Sequence, residues 1–297
     1  MSIHETAPID PKASQVPRVL LAPNPSPLTG PGTNTFMLGH KKIAVIDPGP
    51  DLPSHIEAIS QAAGDGCITH IFVTHAHLDH SAGAARLSQM TGAPILGFGP
   101  ASAGRSAVMS RLLDQGFLGG GEGVDASFDP DICLREGDSI STAEWQLSAL
   151  HTPGHFCNHL SFVAGDHVFC GDLVLGWSST LISPPDGDLA DFMRSLAKLE
   201  RLGARRLYPA HGAPVDHVAQ RLHDLAQHRR DRSMQILTAL DESPANAETL
   251  ARRIYDVGPE LIHAASRNVL AHLIALADLG ALRHEGKLQE NSVFYAR

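Results

Sequence analysis

Short apolar runs alternate with longer amphipathic stretches along the first two-thirds of the chain, and Gly or Pro punctuates most junctions. Residues 22–33, rich in Pro and Gly, read as an irregular loop. Thr35–Leu38 and Lys42–Asp47 then read as strands separated by a turn at Gly39–His40; the second stops at Pro48-Gly49-Pro50. The pattern next predicts a helix over Leu52–Ala63, a strand over Ile68–Thr74, a helix from about Ser81 to Met90 and a short strand at Pro94–Gly97. Residues 101–140 are less regular, and within the Gly-rich 101–128 segment Gly119, Gly120, Gly121 and Gly123 read as a flexible loop or lid. Strand patterns return at Trp145–Leu150, Leu160–Val163 and His167–Cys170, followed by a helix over Leu189–Leu202 and a last strand at Arg206–Tyr208. Strands and helices alternating with hairpins between them imply a layered α/β sandwich rather than a purely parallel sheet.

The pattern changes near Val215. Residues 216–240 read as a connecting helix, and Ser243-Pro244 opens a new unit. Thr249–Tyr255 and Ala264–Leu279 read as two helices, the second with Val269, Leu273 and Leu276 on one face and Gly280 as its cap. The tail, Ala281–Tyr295, reads as a hairpin turning near Gly286. Helices followed by a hairpin outline a small winged-helix-like domain, so the expected division is 1–215 and 216–297.

Composition narrows the classes. No apolar run reaches the roughly 18 residues of a membrane span, and Met1–Gln15 lacks the apolar core of a secretory signal, so a cytoplasmic protein is expected. Cys67, Cys133, Cys157 and Cys170 are widely spaced and read as small buried residues rather than disulfides. The net charge is −9, which offers nucleic acid no overall attraction. Histidine is the outlier: there are 18, more than a scattered surface set such as His4, His40 and His55 accounts for.

The chemistry concentrates in Thr74-His75-Ala76-His77-Leu78-Asp79-His80, directly after an apolar strand. Alternate residues of an extended segment project to one side, so His75 and His77 can reach one ion while Asp79 and His80 face a neighbouring site. Imidazole and carboxylate are ligands that zinc prefers. Further candidates sit at strand ends on Gly- or Pro-shaped turns: His151-Thr152-Pro153-Gly154-His155, Phe169-Cys170-Gly171-Asp172 and Tyr208-Pro209-Ala210-His211-Gly212.

Order and spacing of these motifs resemble the metallo-β-lactamase superfamily, whose hallmark is His-x-His-x-Asp-His and whose fold is a four-layer αββα sandwich. The resemblance covers roughly residues 17–215. It implies that His75, His77 and His155 hold one metal, that Asp79, His80 and His211 hold a second, and that Asp172 bridges both. Asp47 matches the family's acidic residue behind the ligands. Two Zn²⁺ are the expected cofactors, although iron or manganese also accept such ligands. Two cations sharing a water would make hydroxide at neutral pH, with Asp79 placed to orient it or relay its proton. His151 stays outside the ligand set, His159 is a candidate substrate contact, and Phe156 stands where the family usually has Thr or Ser.

Asn24-Pro25-Ser26-Pro27, Gly32-Thr33-Asn34-Thr35-Phe36 and the C-terminal unit resemble the branch that includes a mitochondrial β-lactamase-like endoribonuclease. That implies a phosphodiesterase acting on single-stranded RNA. A thioesterase of the hydroxyacylglutathione hydrolase type, or a small-molecule ester or lactone hydrolase, is the alternative. Residues 234–297 hold six Lys+Arg and eight Asp+Glu, so no DNA grip is expected from the winged-helix-like unit. Packing, a homodimer contact or lining of the active-site mouth fits it better. Arg229, Arg230 and Arg232 read as a solvated helix face.

Overall fold

The computed structural model describes residues 16–297; the expectations for Met1–Gln15 and His4 fall outside them. Two sheets form. The first runs in the order β1 (Arg18–Leu21), β2 (Asn34–Leu38), β3 (Lys42–Ile46), β4 (Cys67–Phe72), β5 (Ile95–Gly97), β6 (Ile132–Cys133). Its first three strands pair antiparallel and β3 to β6 pair parallel. The second runs β11 (Arg206–Pro209), β10 (His167–Gly171), β9 (Leu160–Ala164), β8 (Gln146–His151), β7 (Ser139–Ser141). It is antiparallel except for the β10–β11 pair.

Strand alternation explains the layers. Along β3, Ala44 and Ile46 point into a core shared with Leu147, Phe162 and Phe169 of the second sheet. Ile43 and Val45 point the other way, onto Ile56 and Ile59 of helix α1 (Pro53–Ala63). Leu87, from helix α3 (Gly83–Thr91), which follows the single turn α2 (Leu78–Ser81), completes that layer. On the far side Val168, Cys170 and Leu207 pack against Phe192, Leu196 and Leu199 of α5 (Leu189–Leu202) and Leu222 and Leu225 of α6 (Val218–Glu242). Strands covered on both faces read as near-continuous apolar runs, as β3 does. The result is the expected αββα sandwich.

The C-terminal unit comprises α7 (Ala247–Ile254), α8 (Ile262–Asp278) and the ribbon β12 (Leu282–His284) with β13 (Phe294–Ala296), a winged-helix arrangement. Gly280 ends α8 with φ 75°, and its neighbour Ala281 donates to Leu276 O at 2.9 Å, the six-residue closure of a left-handed cap.

Several sequence expectations need correction. The 101–140 stretch contains a helix, α4 (Ala107–Asp114), whose Met109 and Leu112 pack with Leu240, Leu250 and Leu270 in the core of the C-terminal unit. His55 is buried, 2.8 Å from Thr35 Oγ1, not part of a surface set. Cys157 and Cys170 are buried as expected, but Cys67 and Cys133 are exposed. Arg229 is not on a solvated face: it is 2% exposed. Among the described residues no helix is long and apolar enough to cross a membrane.

His272, on α8, is fully buried with Nδ1 2.8 Å from Ser233 Oγ. Burial, with Arg229 and Arg232 nearby, pushes its pKa down to about 3 from an ordinary 6.5. The unfolded state therefore takes up this proton first as pH falls. The residue's contribution to stability is intact above about pH 6.5 and is lost progressively below it. Between pH 7.5 and 5.5 that amounts to about 1.4 kcal/mol. In urea titrations His272→Gln is expected to lose less unfolding free energy than the wild type over that interval, by about this amount. Equal losses would refute the assignment.

Candidate active site

The candidate ligands follow the carboxyl ends of β4, β8, β10 and β11, and specific contacts aim His80, His155 and His211. Asp47 follows β3 with φ 50°, the one non-glycine residue with positive φ among those described. Its carboxylate accepts from Thr74 N (2.7 Å) and Thr74 Oγ1 (2.8 Å) and lies 3.0 Å from His80 Nδ1. The end of β4 is thereby clamped, and His80 turns its Nε2 into the site. A carboxylate that fixes an imidazole through its far nitrogen is the usual support behind a metal ligand.

Beyond β8 the Thr-Pro-Gly turn is pressed against α5; a Cβ on Gly154 would sit 2.4 Å from Phe192 Cα. His155 points Nδ1 at Leu181 O (2.6 Å), leaving Nε2 for the site. Gly171 ends β10 with φ 47°, and a Cβ there would come 2.5 Å from His159 Nε2. His211, after β11, donates Nδ1–H to Gly32 O at 3.0 Å.

The ligand atoms converge. His77 Nδ1 lies 2.8 Å from His75 Nε2 and 3.0 Å from His155 Nε2. Asp79 Oδ2 lies 3.4 Å from His80 Nε2 and 3.2 Å from His211 Nε2. Asp172 stands between the two sets: its Oδ1 is 3.4 Å from His211 Nε2 and 3.7 Å from His80 Nε2, while Oδ2 is 3.7 Å from His155 Nε2. One carboxylate oxygen thus faces each set, the geometry of a bridge.

The donors also fit metal on chemical grounds. His80 Nε2 and Asp172 Oδ1 are buried without a hydrogen-bond partner among the described residues. Such orphaned atoms are costly unless something satisfies them. Burial holds His75 well below its ordinary pKa, pushes His77 down to about 3 and lowers His155, so these three present neutral lone pairs. Against burial, His80 and His211 hold Asp79 and Asp172 ionised. Against burial too, the carboxylates raise His80 well above its ordinary value and His211 to about 10. A cation entering the second set displaces those protons, so loading there releases acid.

His159 is not placed to touch substrate. It is fully buried; its Nε2 accepts from Asp172 N at 3.2 Å and its Nδ1 lies 3.0 Å from Thr152 Oγ1, so it shapes the backbone under Asp172. His151 stacks on Phe98 at 4.0 Å, away from the centre. Phe156 is buried against His77, ring centroids 4.7 Å apart.

A cleft of about 310 Å³ opens over the cluster. His77, Asp79, His155, Asp172 and His211 form its floor, with Pro27, Leu28, Leu175, Trp177, Leu181, Ala264 and Asn268 on its walls and Glu122 at its rim. Sequence reasoning missed Trp177, Leu181 and Asn268. Only Trp177 carried a signal: it is one of two tryptophans and lies on the loop after Asp172.

The family model of the metallo-beta-lactamase superfamily matches residues 28–211, and that of the beta-lactamase associated winged helix domain matches 247–290. A beta-lactamase-like protein 2 homolog from Caenorhabditis elegans is 29% identical over 274 residues, covering 90% of this chain and 85% of that one. An atrochrysone carboxyl ACP thioesterase from Aspergillus chevalieri is 32% identical over 234 residues, 76% of this chain and 67% of its own. Among solved structures, a metallo-beta-lactamase family protein from Thermus thermophilus superposes with a TM-score of 0.75 at 26% identity, covering 95% of this chain and 98% of that one.

Proposed function

The chain belongs to the metallo-β-lactamase superfamily and is a hydrolase with a buried His/Asp metal-binding cluster, and we propose that it cleaves carboxylic thioesters at a dinuclear centre, most simply of zinc. His75, His77 and His155 would hold one cation and Asp79, His80 and His211 the other, with Asp172 placed between the two sets. Bound there, such a pair would supply a hydroxide at neutral pH and Lewis acidity at the carbonyl under attack. Asp79, ionised and 3.3 Å from Thr33 Oγ1, would orient that water.

The observation that carries the choice of substrate is the lining of the cleft. No Lys or Arg is among its residues, whereas Leu28, Leu175, Trp177 and Leu181 offer an apolar wall. Single-stranded RNA would bring phosphates past Glu122 to a lining without the Lys or Arg that phosphate contacts require. The leaving group points the same way. Asp79, Asp172 and Glu122 are all held below their ordinary pKa values, and the imidazoles are committed as ligands. With no carboxyl in the cleft held protonated, a thiolate, with a pKa near 8.5, leaves far more readily than the much more basic alkoxide. The likeness to an acyl-carrier thioesterase supports this reading.

The test is parallel assay of the metal-loaded protein on acyl-pantetheine thioesters, single-stranded RNA and a β-lactam, with His77→Ala as control. Thiol release that vanishes in the control is expected. Cleavage of RNA alone would overturn the proposal. Trp177, 45% exposed at the cleft wall, is expected to hold the acyl chain. Trp177→Ala should raise KM for long-chain thioesters roughly tenfold with kcat nearly unchanged. An acetyl thioester should barely respond, and equal effects on both would exclude an acyl-binding role.

A further inference from the structure

We propose that Arg229 of α6 and Asn268 of α8 are positioning residues for His155, so that the connecting helix and the C-terminal unit together are a working part of the metal centre. The inference rests on His155 being a ligand but on no particular substrate. His155 takes its orientation from Leu181 O, 2.6 Å from Nδ1, with Thr180 Oγ1 3.1 Å from the same atom. A ring that donates Nδ1–H to this carbonyl presents the Nε2 lone pair to a cation. Whatever fixes Leu181 O therefore fixes the ligand.

Segment 180–182 belongs to no helix or strand. It is pinned on both sides of Leu181 by the C-terminal helices. On one side Arg229 donates Nη2–H to Thr180 O. On the other, Asn268 Oδ1 accepts from Ile182 N at 3.0 Å. The two anchors are themselves joined, since Arg229 Nη1 donates to Asn268 Oδ1 at 3.2 Å. The guanidinium also lies 5.2 Å from the Phe192 ring, and Phe192 is the residue packed against Gly154, next to His155. One buried cation thus braces both the segment whose Leu181 carbonyl aims His155 and the helix against which its turn is pressed.

The burial of Arg229 is otherwise hard to account for. It is 2% exposed, no carboxylate pairs with it among the described residues, and its Nε lacks a partner. Burial lowers its pKa to about 10, which leaves it charged at neutral pH. Taking an unpaired cation out of water is unfavourable, and an apolar side chain of similar length would fill the space with less penalty. A donor that must reach a particular carbonyl explains the choice, and Asn268, which also lines the cleft, brings the same network to the substrate side.

The test compares the full-length wild type with Arg229→Met, Arg229→Lys, Asn268→Ala and Arg232→Met. The readouts are zinc affinity by competition with a chromophoric chelator, the visible spectrum of the cobalt-loaded protein, and Tm. Arg229→Met and Asn268→Ala are expected to weaken binding of the cation held by His75, His77 and His155 roughly 10- to 100-fold and to change the cobalt spectrum. Arg229→Lys should recover part of the affinity, because an ammonium still donates to Thr180 O. Arg232 lies over Tyr255 at 3.8 Å and does not touch segment 180–182, so Arg232→Met should lower Tm without changing affinity. Wild-type affinity in both Arg229→Met and Asn268→Ala would overturn the inference, as would an equal loss in Arg232→Met. If Arg229→Met fails to fold, the Asn268→Ala result decides. A wild type that binds no zinc would remove the metal centre itself, an outcome distinct from wild-type affinity in the variants.

Discussion

Asp172→Ala is expected to leave the protein folded, with no more than one tightly held cation, and to lower kcat/KM on the order of 10³-fold or more. The reason is geometric. Asp172 Oδ1 faces His80 and His211, and Oδ2 faces His155, so one side chain sets the spacing of both sets. Its charge also balances the second set, where it is the leading cause of the raised His211 pKa. Without it, Asp79 alone must offset a cation held by two imidazoles. Asp172→Asn preserves shape but not charge, and is expected to show nearly the same loss. Metal content after dialysis and steady-state kinetics on the best substrate check both variants. Two retained cations with an unchanged rate would show that Asp172 bridges nothing.

The second large effect is expected at a residue that touches no cation. Asp47→Ala removes the acceptor for Thr74 N, Thr74 Oγ1 and His80 Nδ1 together. Each buried donor left unsatisfied costs about 1–3 kcal/mol. An alanine at φ 50° adds about 1 kcal/mol of backbone strain. Cation affinity at the His80 side should fall 10- to 100-fold, with Tm lowered by several degrees. Asp47→Asn tolerates the same φ and can still accept from Thr74 N, so it should keep most of the stability while losing the hold on His80. A chelator titration that cannot tell Asp47→Ala from wild type would refute this support role.

The legible and illegible parts of the molecule differ in how far their causes lie along the chain. His75, His77, Asp79 and His80 could be read because they share one short segment whose alternation sets their directions. His155, Asp172 and His211 could be read because each follows a strand and a Gly- or Pro-shaped turn. The layered α/β plan was legible because short apolar runs such as Ile43–Ile46 alternate with helical stretches and hairpins, and the family resemblance implied its αββα form. Helix α4 was not legible, because the partners of Met109 and Leu112 lie more than a hundred residues later in the C-terminal unit. Arg229 looked solvated because its helical neighbours are polar; what buries it are Phe192, Thr180 and Asn268, from three other segments. His159 misled as well. It was a candidate substrate contact, yet the turn just before β9 places it beneath Asp172, where its nitrogens are already engaged. Local pattern and the family resemblance picked out the converging side chains and Asp47 behind His80, while Arg229 and Asn268, behind His155, emerged only from tertiary packing.

The most direct measurement is anomalous diffraction from crystals of the metal-loaded protein, collected on both sides of the absorption edge of the bound metal. Two peaks are expected, one about 2.0–2.2 Å from ring nitrogens of His75, His77 and His155, the other equally close to Asp79, His80 and His211, with an oxygen of Asp172 reaching each. A crystal grown in excess metal that gave no peak among these residues, or only peaks elsewhere, would contradict the central claim.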